Sequence, residues 1–391
     1  MLALAIGIVA VIAITPYLPG LPFGAPGTRD FVQYWAALQA LNAGANPYDG
    51  AVLHAIESRV GVPADQTVQM WNPPWLVVLL WPVLRTSFES SALGWFILQI
   101  IFLCAIAAMA PIALRRTGLS LLARGSLIIS FYPVLDCLGL GQLSIFITFA
   151  LFASLWFGSH GSYCAAGIAI APLATKPHLF FLCTIPAVLW FKELDRSNKR
   201  RFVVGALLGL SASVGAAEYI WPHSISWWLE SIIEPHMQPG TIPVTYWKTA
   251  TLTTCVRMLC EAFMGTAPTW PLWVVPSVAF LTTSLIVLRN KGQLSWQIIA
   301  PATLCLSVVT SNYGWFFDQT LLLPVQLLIL YQGIHSPSRS SRIVIIATTL
   351  GIQAVAFGLG SSLKTSSQFT FTWVPLAILA AYLFSQRRRG K

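Results

Sequence analysis

"SSALGWFILQIIFLCAIAAMAPIAL", residues 90–114, contains no charged side chain and runs directly into Arg115 and Arg116. A helix rises about 1.5 Å per residue, so this run is long enough to cross the roughly 30 Å hydrocarbon core of a bilayer. Comparable apolar runs recur along the chain. They are continuous rather than alternating, which argues for helices and against a membrane β-barrel. Hydrophobic residues make up 56% of the sequence and charged residues 9%, against about 25% charged in ordinary soluble domains. Such a chain cannot cover itself with polar surface in water. The expected class is an all-α polytopic membrane protein, with residues 1–391 forming one integral domain.

About twelve spans are predicted, at roughly 2–19, 90–114, 121–138, 142–158, 162–175, 178–191, 202–221, 269–288, 295–310, 318–333, 342–360 and 371–385. The net charge of +10 could point to anionic partners such as nucleic acid, but its distribution follows the positive-inside rule. With a cytoplasmic N-terminus, five basic clusters fall inside: Arg115/Arg116/Arg124, Lys192 to Arg201, Arg289/Lys291, Arg339/Arg342 and Arg387 to Lys391. They hold sixteen of the 23 lysines and arginines, and only Glu193 and Asp195 among the thirteen acids share that side. The opposite orientation inverts this bias. Both termini are therefore expected in the cytoplasm of a cell membrane. The first span lacks a basic n-region and a small-residue cleavage pattern, and reads as a retained anchor. The seven cysteines are scattered without metal-ligand spacing and read as packing residues, Cys255 and Cys260 included.

Two outer segments, 20–89 and 222–268, are too long to be simple connections, whereas inner loops are about ten residues or fewer. Within the first, "WNPPWLVVLLWPVLRTSF" (71–88) has an apolar stretch between Pro74 and Pro82 that is too short to cross. It reads as a re-entrant or interfacial helix starting after the double proline. In the second, "SISWWLESIIEPHMQP" (224–239) places Trp227, Trp228, Ile232 and Ile233 on one side and Glu230 and Glu234 on the other. That pattern describes an amphipathic helix at the interface. Together these elements are expected to roof an outward-facing cavity. No internal repeat is evident, and few charges lie mid-span, which disfavours a transporter with a midplane site.

Few polar residues remain as candidates for chemistry. Asp30 follows the first span and is a base, a solvated loop aspartate or the N-cap of a helix over 31–42. Lys176, between two short spans, is either a snorkelling anchor or an anion ligand. Lys248 and Arg257 carry the same two readings, and His178 is either a hydrogen-bond donor to substrate or a structural imidazole. Tyr34 and Tyr48, with Trp35 and Trp71, offer faces on which a sugar ring could stack. Gln142 sits at a glycine-flanked turn, where it meets substrate or caps a helix. Asp318 starts a span, where a helix N-terminus favours an acid electrostatically.

The order Asp30-Phe31-x-x-Tyr34-Trp35-Ala36-Ala37, Asn46-Pro47-Tyr48-Asp49 and Asn72-Pro73-Pro74 resembles the start of glycosyltransferase family 87. Gly139-Leu140-Gly141-Gln142, Lys176-Pro177, "YWKTATLTTCVRML" (246–259) and "TSNYGWFFDQTLLLP" (310–324) follow in the family's order. The last departs from the family pattern at Asn312 and Phe317. The resemblance covers about residues 28–330. It implies a GT-C fold and transfer of a sugar, with mannose the candidate, from a polyprenyl-phosphate donor. The acceptor would be an extracytoplasmic glycolipid or polysaccharide, and the reaction inverting. It further implies Asp30 as general base, Lys176, Arg257 and Lys248 as donor-phosphate ligands, and Tyr34, Tyr48, Gln142, His178 and Asp318 as substrate ligands. No cofactor is expected, and a divalent metal is left open. The competing class is a lipid-linked-sugar flippase or other multi-pass transporter without catalysis.

Overall fold

Prolines accompany the breaks in several apolar runs, although Pro276 and Pro301 lie inside continuous helices. In the computed structural model, residues 8–12, 14–15, 20–63, 65–110, 121–233, 247–290, 294–362 and 365–387 are described, and every regular element among them is helical. Most of the expected first span, Arg115 and Arg116, the segment from Glu234 to Tyr246, Lys291, Lys364 and Arg388 to Lys391 lie outside the described residues. Among the described residues, five helices are long and apolar enough to cross a membrane: Phe88–Met109, Arg196–Ile220, Pro271–Arg289, Arg339–Ser362 and Gln368–Arg387.

The twelve expected spans are thus not twelve unbroken helices. The run at 121–138 divides into Leu121–Ile129 and Tyr132–Leu140, with Pro133 in the first turn of the second piece. The run at 162–175 is α-helical over Tyr163–Ile170, then tightens to a 3₁₀ segment over Ala171–Thr175 that contains Pro172. The next begins with 3₁₀ turns at Pro177–Leu179 and Phe181–Cys183 before Thr184–Glu193. The run at 318–333 starts as the 3₁₀ segment Phe316–Leu322 and continues as Leu323–Ile334, with Pro324 in its first turn. Proline has no N–H and its ring clashes with the carbonyl four residues back, so each of these positions ends or restarts a helix. Two of the site candidates, Lys176 and Asp318, lie at such breaks.

The chain folds as two compact units. The first contains 1–106, 136–175 and 200–243; the second contains 107–135, 176–199 and 244–391. In the first, Tyr163–Ile170 meets Arg196–Ile220 at glycines. A Cβ on Gly167 would stand 2.2 Å from the Phe202 carbonyl oxygen, and one on Gly205 2.0 Å from that of Cys164. Without side chains the backbones close to dispersion distance, the usual basis of helix association in lipid. The double-proline helix is present as Trp75–Leu84, and the expected amphipathic helix as Ser224–Ile233. They meet edge to face, with Trp75 and Trp228 ring centroids 5.0 Å apart and the Trp228 indole N–H donating to the Trp71 carbonyl at 3.3 Å.

In the second unit, Pro271–Arg289 is apolar around its circumference yet barely covered by protein: Trp273 is 69% and Leu281 61% exposed. A helix with that surface is stable only in hydrocarbon. Trp296–Thr310, by contrast, buries Thr303, Leu304, Cys305, Ser307, Val308 and Val309. The Tyr382 hydroxyl donates to the Ile298 carbonyl at 3.0 Å and ties the helix Trp373–Arg387 to it.

Candidate active site

The motifs singled out in the sequence converge within each unit. In the first, the loop before the helix Val32–Asn42 is clamped onto the turn after the helix Tyr132–Leu140. The Gly27 N–H donates to the Gly139 carbonyl and the Asp30 N–H to the Leu140 carbonyl, each at 2.8 Å. Gly141 adopts φ +77, and a Cβ there would stand 2.2 Å from the Gly27 carbonyl oxygen and 2.9 Å from the Phe31 Cβ. The turn therefore needs glycine for its handedness and for the approach of the Asp30 loop. The Trp95 indole N–H donates to the Gly141 carbonyl at 3.0 Å, and Trp95 stacks on the fully buried Phe31 ring at 6.2 Å between centroids.

This clamp presents Asp30 half-buried, with Arg29 beside it exposed. The Gln142 amide N–H donates to Asp30 Oδ2 at 2.8 Å, and the Tyr34 hydroxyl donates to Gln142 Oε1 at 3.0 Å. Tyr34 is 0% exposed, so its ring supports the site from within the core. Tyr48 is likewise enclosed, at 1% exposure, and its hydroxyl donates to the Asn72 carbonyl at 2.9 Å. Burial pushes that phenol well above its ordinary range. The expected stacking faces of Tyr34 and Tyr48 are thus occupied by protein. The Asn-Pro-Tyr-Asp motif is a turn and cap: Asn46 Oδ1 accepts the Tyr48 N–H, and Asp49 Oδ1 accepts from Ala51 N at 2.8 Å, capping the helix Gly50–Glu57. A cavity of about 440 Å³ opens beside these helices, lined by Trp35, Gln39, Ala40, Val52, Ile56 and Arg59 among others.

Glu57 was not singled out in the sequence. Its side chain is 0% exposed, Oε2 accepts the Val68 N–H at 3.0 Å, and Oε1 is buried with no hydrogen-bond partner among the described residues. Burial pushes this carboxyl up to about 8, with the Val68 bond opposing the shift.

In the second unit, the Lys176-Pro177 motif, residues 247–259 of the next motif and the 310–324 motif come together. Lys176 Nζ donates to Asp318 Oδ1 at 2.7 Å and stands 4.9 Å from the Phe317 ring centroid. The pair is buried, at 8% and 1% exposure. Asp318 Oδ2 accepts the Trp315 N–H at 2.9 Å, so the acid caps the 3₁₀ segment and neutralises the lysine at once. The His178 ring lies 4.0 Å from that of Tyr313, and Tyr313 meets Trp247 edge to face at 5.8 Å. His178 Nε2 is buried and has no hydrogen-bond partner among the described residues.

Arg257, 3% exposed on the helix Leu252–Met264, donates to the Trp247 carbonyl, whereas Lys248 is exposed. The Ala250 N–H donates to the Gly314 carbonyl at 3.0 Å and stitches the two motifs together. Thr251 caps the helix by accepting the Thr254 N–H at 3.2 Å. No group of three or more His, Cys, Asp or Glu side chains among the described residues is placed to hold a metal ion.

The family model for glycosyltransferase family 87 matches residues 71–293, more than half of the 391-residue chain. The match takes in Gln142, Lys176, His178, Lys248 and Arg257, and stops short of Asp30, Tyr34 and Tyr48 on one side and Asp318 on the other. No curated protein and no solved structure matches the chain. Long apolar helices, the two motif clusters and this match lead to one conclusion: the chain belongs to glycosyltransferase family 87 and is a membrane glycosyltransferase.

Proposed function

We propose that this is a GT-C-type enzyme that moves a sugar, mannose being the candidate, from a polyprenyl-phosphate donor to an extracytoplasmic glycolipid or polysaccharide hydroxyl. Asp30 is the general base. As the acceptor oxygen bonds to the anomeric carbon, its proton passes to the Asp30 carboxylate. The bond from the anomeric carbon to the phosphate oxygen breaks, and its electron pair leaves with the polyprenyl phosphate. A single displacement of this kind inverts the anomeric centre. A sugar hydroxyl is a poor nucleophile, and a positioned base contributes about 10²–10⁴-fold.

Lys176, Lys248 and Arg257 are the proposed cations for the leaving phosphate, whose charge grows as the bond breaks. Asp318 serves by fixing Lys176, and His178 offers Nε2 as a hydrogen-bonding group. With a monophosphate leaving group the reading requires no metal.

The observation that carries the proposal is the clamp on Asp30: a half-buried carboxylate held by its own backbone and by an amide donor on one oxygen. The test uses purified protein in detergent with synthetic polyprenyl-phosphate-[¹⁴C]mannose and a panel of alkyl glycoside acceptors. Native protein is expected to transfer label, and Asp30→Asn to lose about 10²-fold or more. Transfer by Asp30→Asn at the native rate sinks the base assignment. Absence of transfer from polyprenyl-phosphate-linked mannose, glucose, galactose and arabinose alike sinks the donor class.

A further inference from the structure

We propose that Gln142, supported by Tyr34, is a positioning residue that fixes the Asp30 carboxylate and keeps it ionised. This rests on the reading of Asp30 as the base. The three side chains form a chain of hydrogen bonds with one direction: the Tyr34 hydroxyl donates to Gln142 Oε1 at 3.0 Å, and Gln142 Nε2 donates to Asp30 Oδ2 at 2.8 Å. An amide has a donor end and an acceptor end. Rotating it by half a turn would set its carbonyl against the carboxylate, so the carboxylate selects the sense of the amide and the Tyr34 hydroxyl completes it by donating to Oε1. Gln142 is 7% and Tyr34 0% exposed, so water does not readily substitute for either.

The backbone makes the arrangement rigid. The Gln142 N–H donates to the Cys137 carbonyl at 3.0 Å, and the Asp30 N–H to the Leu140 carbonyl at 2.8 Å. Amide and carboxylate therefore ride on the same turn, and neither can withdraw without moving it. An amide N–H can only donate, so it favours the charged carboxylate over the acid. Among the titratable groups of these elements, Arg29 is exposed and next in the chain, Tyr34 lies on the following helix, and Asp136 and Cys137 lie on the helix before the turn. The Cys137 thiol donates to the Gln142 carbonyl at 3.4 Å and so holds the backbone of that residue.

The test follows the carboxyl stretch of Asp30 by infrared titration of full-length protein in detergent, with Asp30→Asn as the subtraction reference. Losing a hydrogen bond to its charged form raises a carboxylate's titration midpoint by about one to two pH units. Gln142→Ala is therefore expected to raise the Asp30 titration midpoint by at least about one unit, and Tyr34→Phe by a smaller amount. Gln142→Glu, of equal size, places a second carboxylate against the first and raises it further. It carries the test if the alanine variant does not fold.

The acid limb of the kcat–pH profile moves with the midpoint, while KM for the donor stays near native. An unmoved midpoint in Gln142→Ala and Gln142→Glu overturns the proposal. An unmoved midpoint in Tyr34→Phe alone overturns the part given to Tyr34. Native turnover in Asp30→Asn strikes the base reading instead, so the two failures are separable.

Discussion

Removing one partner of the buried Lys176–Asp318 pair should have consequences that removing both does not. The ammonium and carboxylate are 2.7 Å apart at 8% and 1% exposure, and the second carboxylate oxygen takes the Trp315 N–H at 2.9 Å. Asp318→Leu strands a buried cation, at a cost of about 3–5 kcal/mol, whereas exchanging both charges for apolar groups of similar size is often neutral. For a chain of this length that corresponds to a midpoint loss on the order of 5 °C. Lys176→Met should lose a comparable amount by stranding Asp318, though the Trp315 bond offsets part of it.

The double variant Lys176→Met/Asp318→Leu should recover most of the stability. If Lys176 also holds the donor phosphate, it should not recover transfer activity. The assays are thermal unfolding in detergent by intrinsic tryptophan fluorescence, and label transfer from the polyprenyl-phosphate sugar. Two results refute the reasoning. A double variant no more stable than the sum of the singles means that the pair is not energetically coupled. A stable double variant with native KM and kcat means that Lys176 is a structural ion and not a phosphate ligand.

Two further outcomes follow from groups outside that pair. Glu57, pushed up to about 8 by burial from an ordinary value of 4.5, keeps its proton in the folded state while the unfolded chain has released it. Its contribution is thus full below pH 4.5 and is lost as pH rises toward 8, at about 1.4 kcal/mol per unit. Glu57→Gln keeps the acceptor for Val68 and should flatten the fall in thermal midpoint over that interval; an unchanged slope refutes the assignment. Gly141→Ala must adopt φ +77 and displace the Gly27 carbonyl from 2.2 Å. It should cut transfer at least tenfold while circular dichroism shows the helical content retained, and native activity would mean that the clamp does not position Asp30.

Composition and local pattern alone determined the class of this protein. A 25-residue charge-free run, the start of a helix after Pro73-Pro74 and the interfacial tryptophans at 227 and 228 are properties of contiguous residues. They act through solvation and backbone geometry, whatever the rest of the chain does. The breaks in the spans were also legible in principle, because Pro133, Pro172, Pro177 and Pro324 mark them. Hydropathy alone passes over such breaks, since proline is apolar enough to sit in a span but cannot continue its hydrogen bonds.

Side-chain partnership was not legible in this way. From the sequence, Gln142 was a substrate ligand or a cap, and Lys176 an anchor or an anion ligand. Tertiary structure supplied a different partner for each, Asp30 at a separation of 112 residues and Asp318 at 142. It also turned Tyr34 and Tyr48 from candidate stacking faces into buried hydrogen-bonding struts, and revealed Glu57, which the sequence did not single out, as a buried acid. The physical reason is common to all of these. Burial and pairing depend on which distant segment returns to cover a residue, and that is set by the packing of the whole unit, not by the neighbours in sequence.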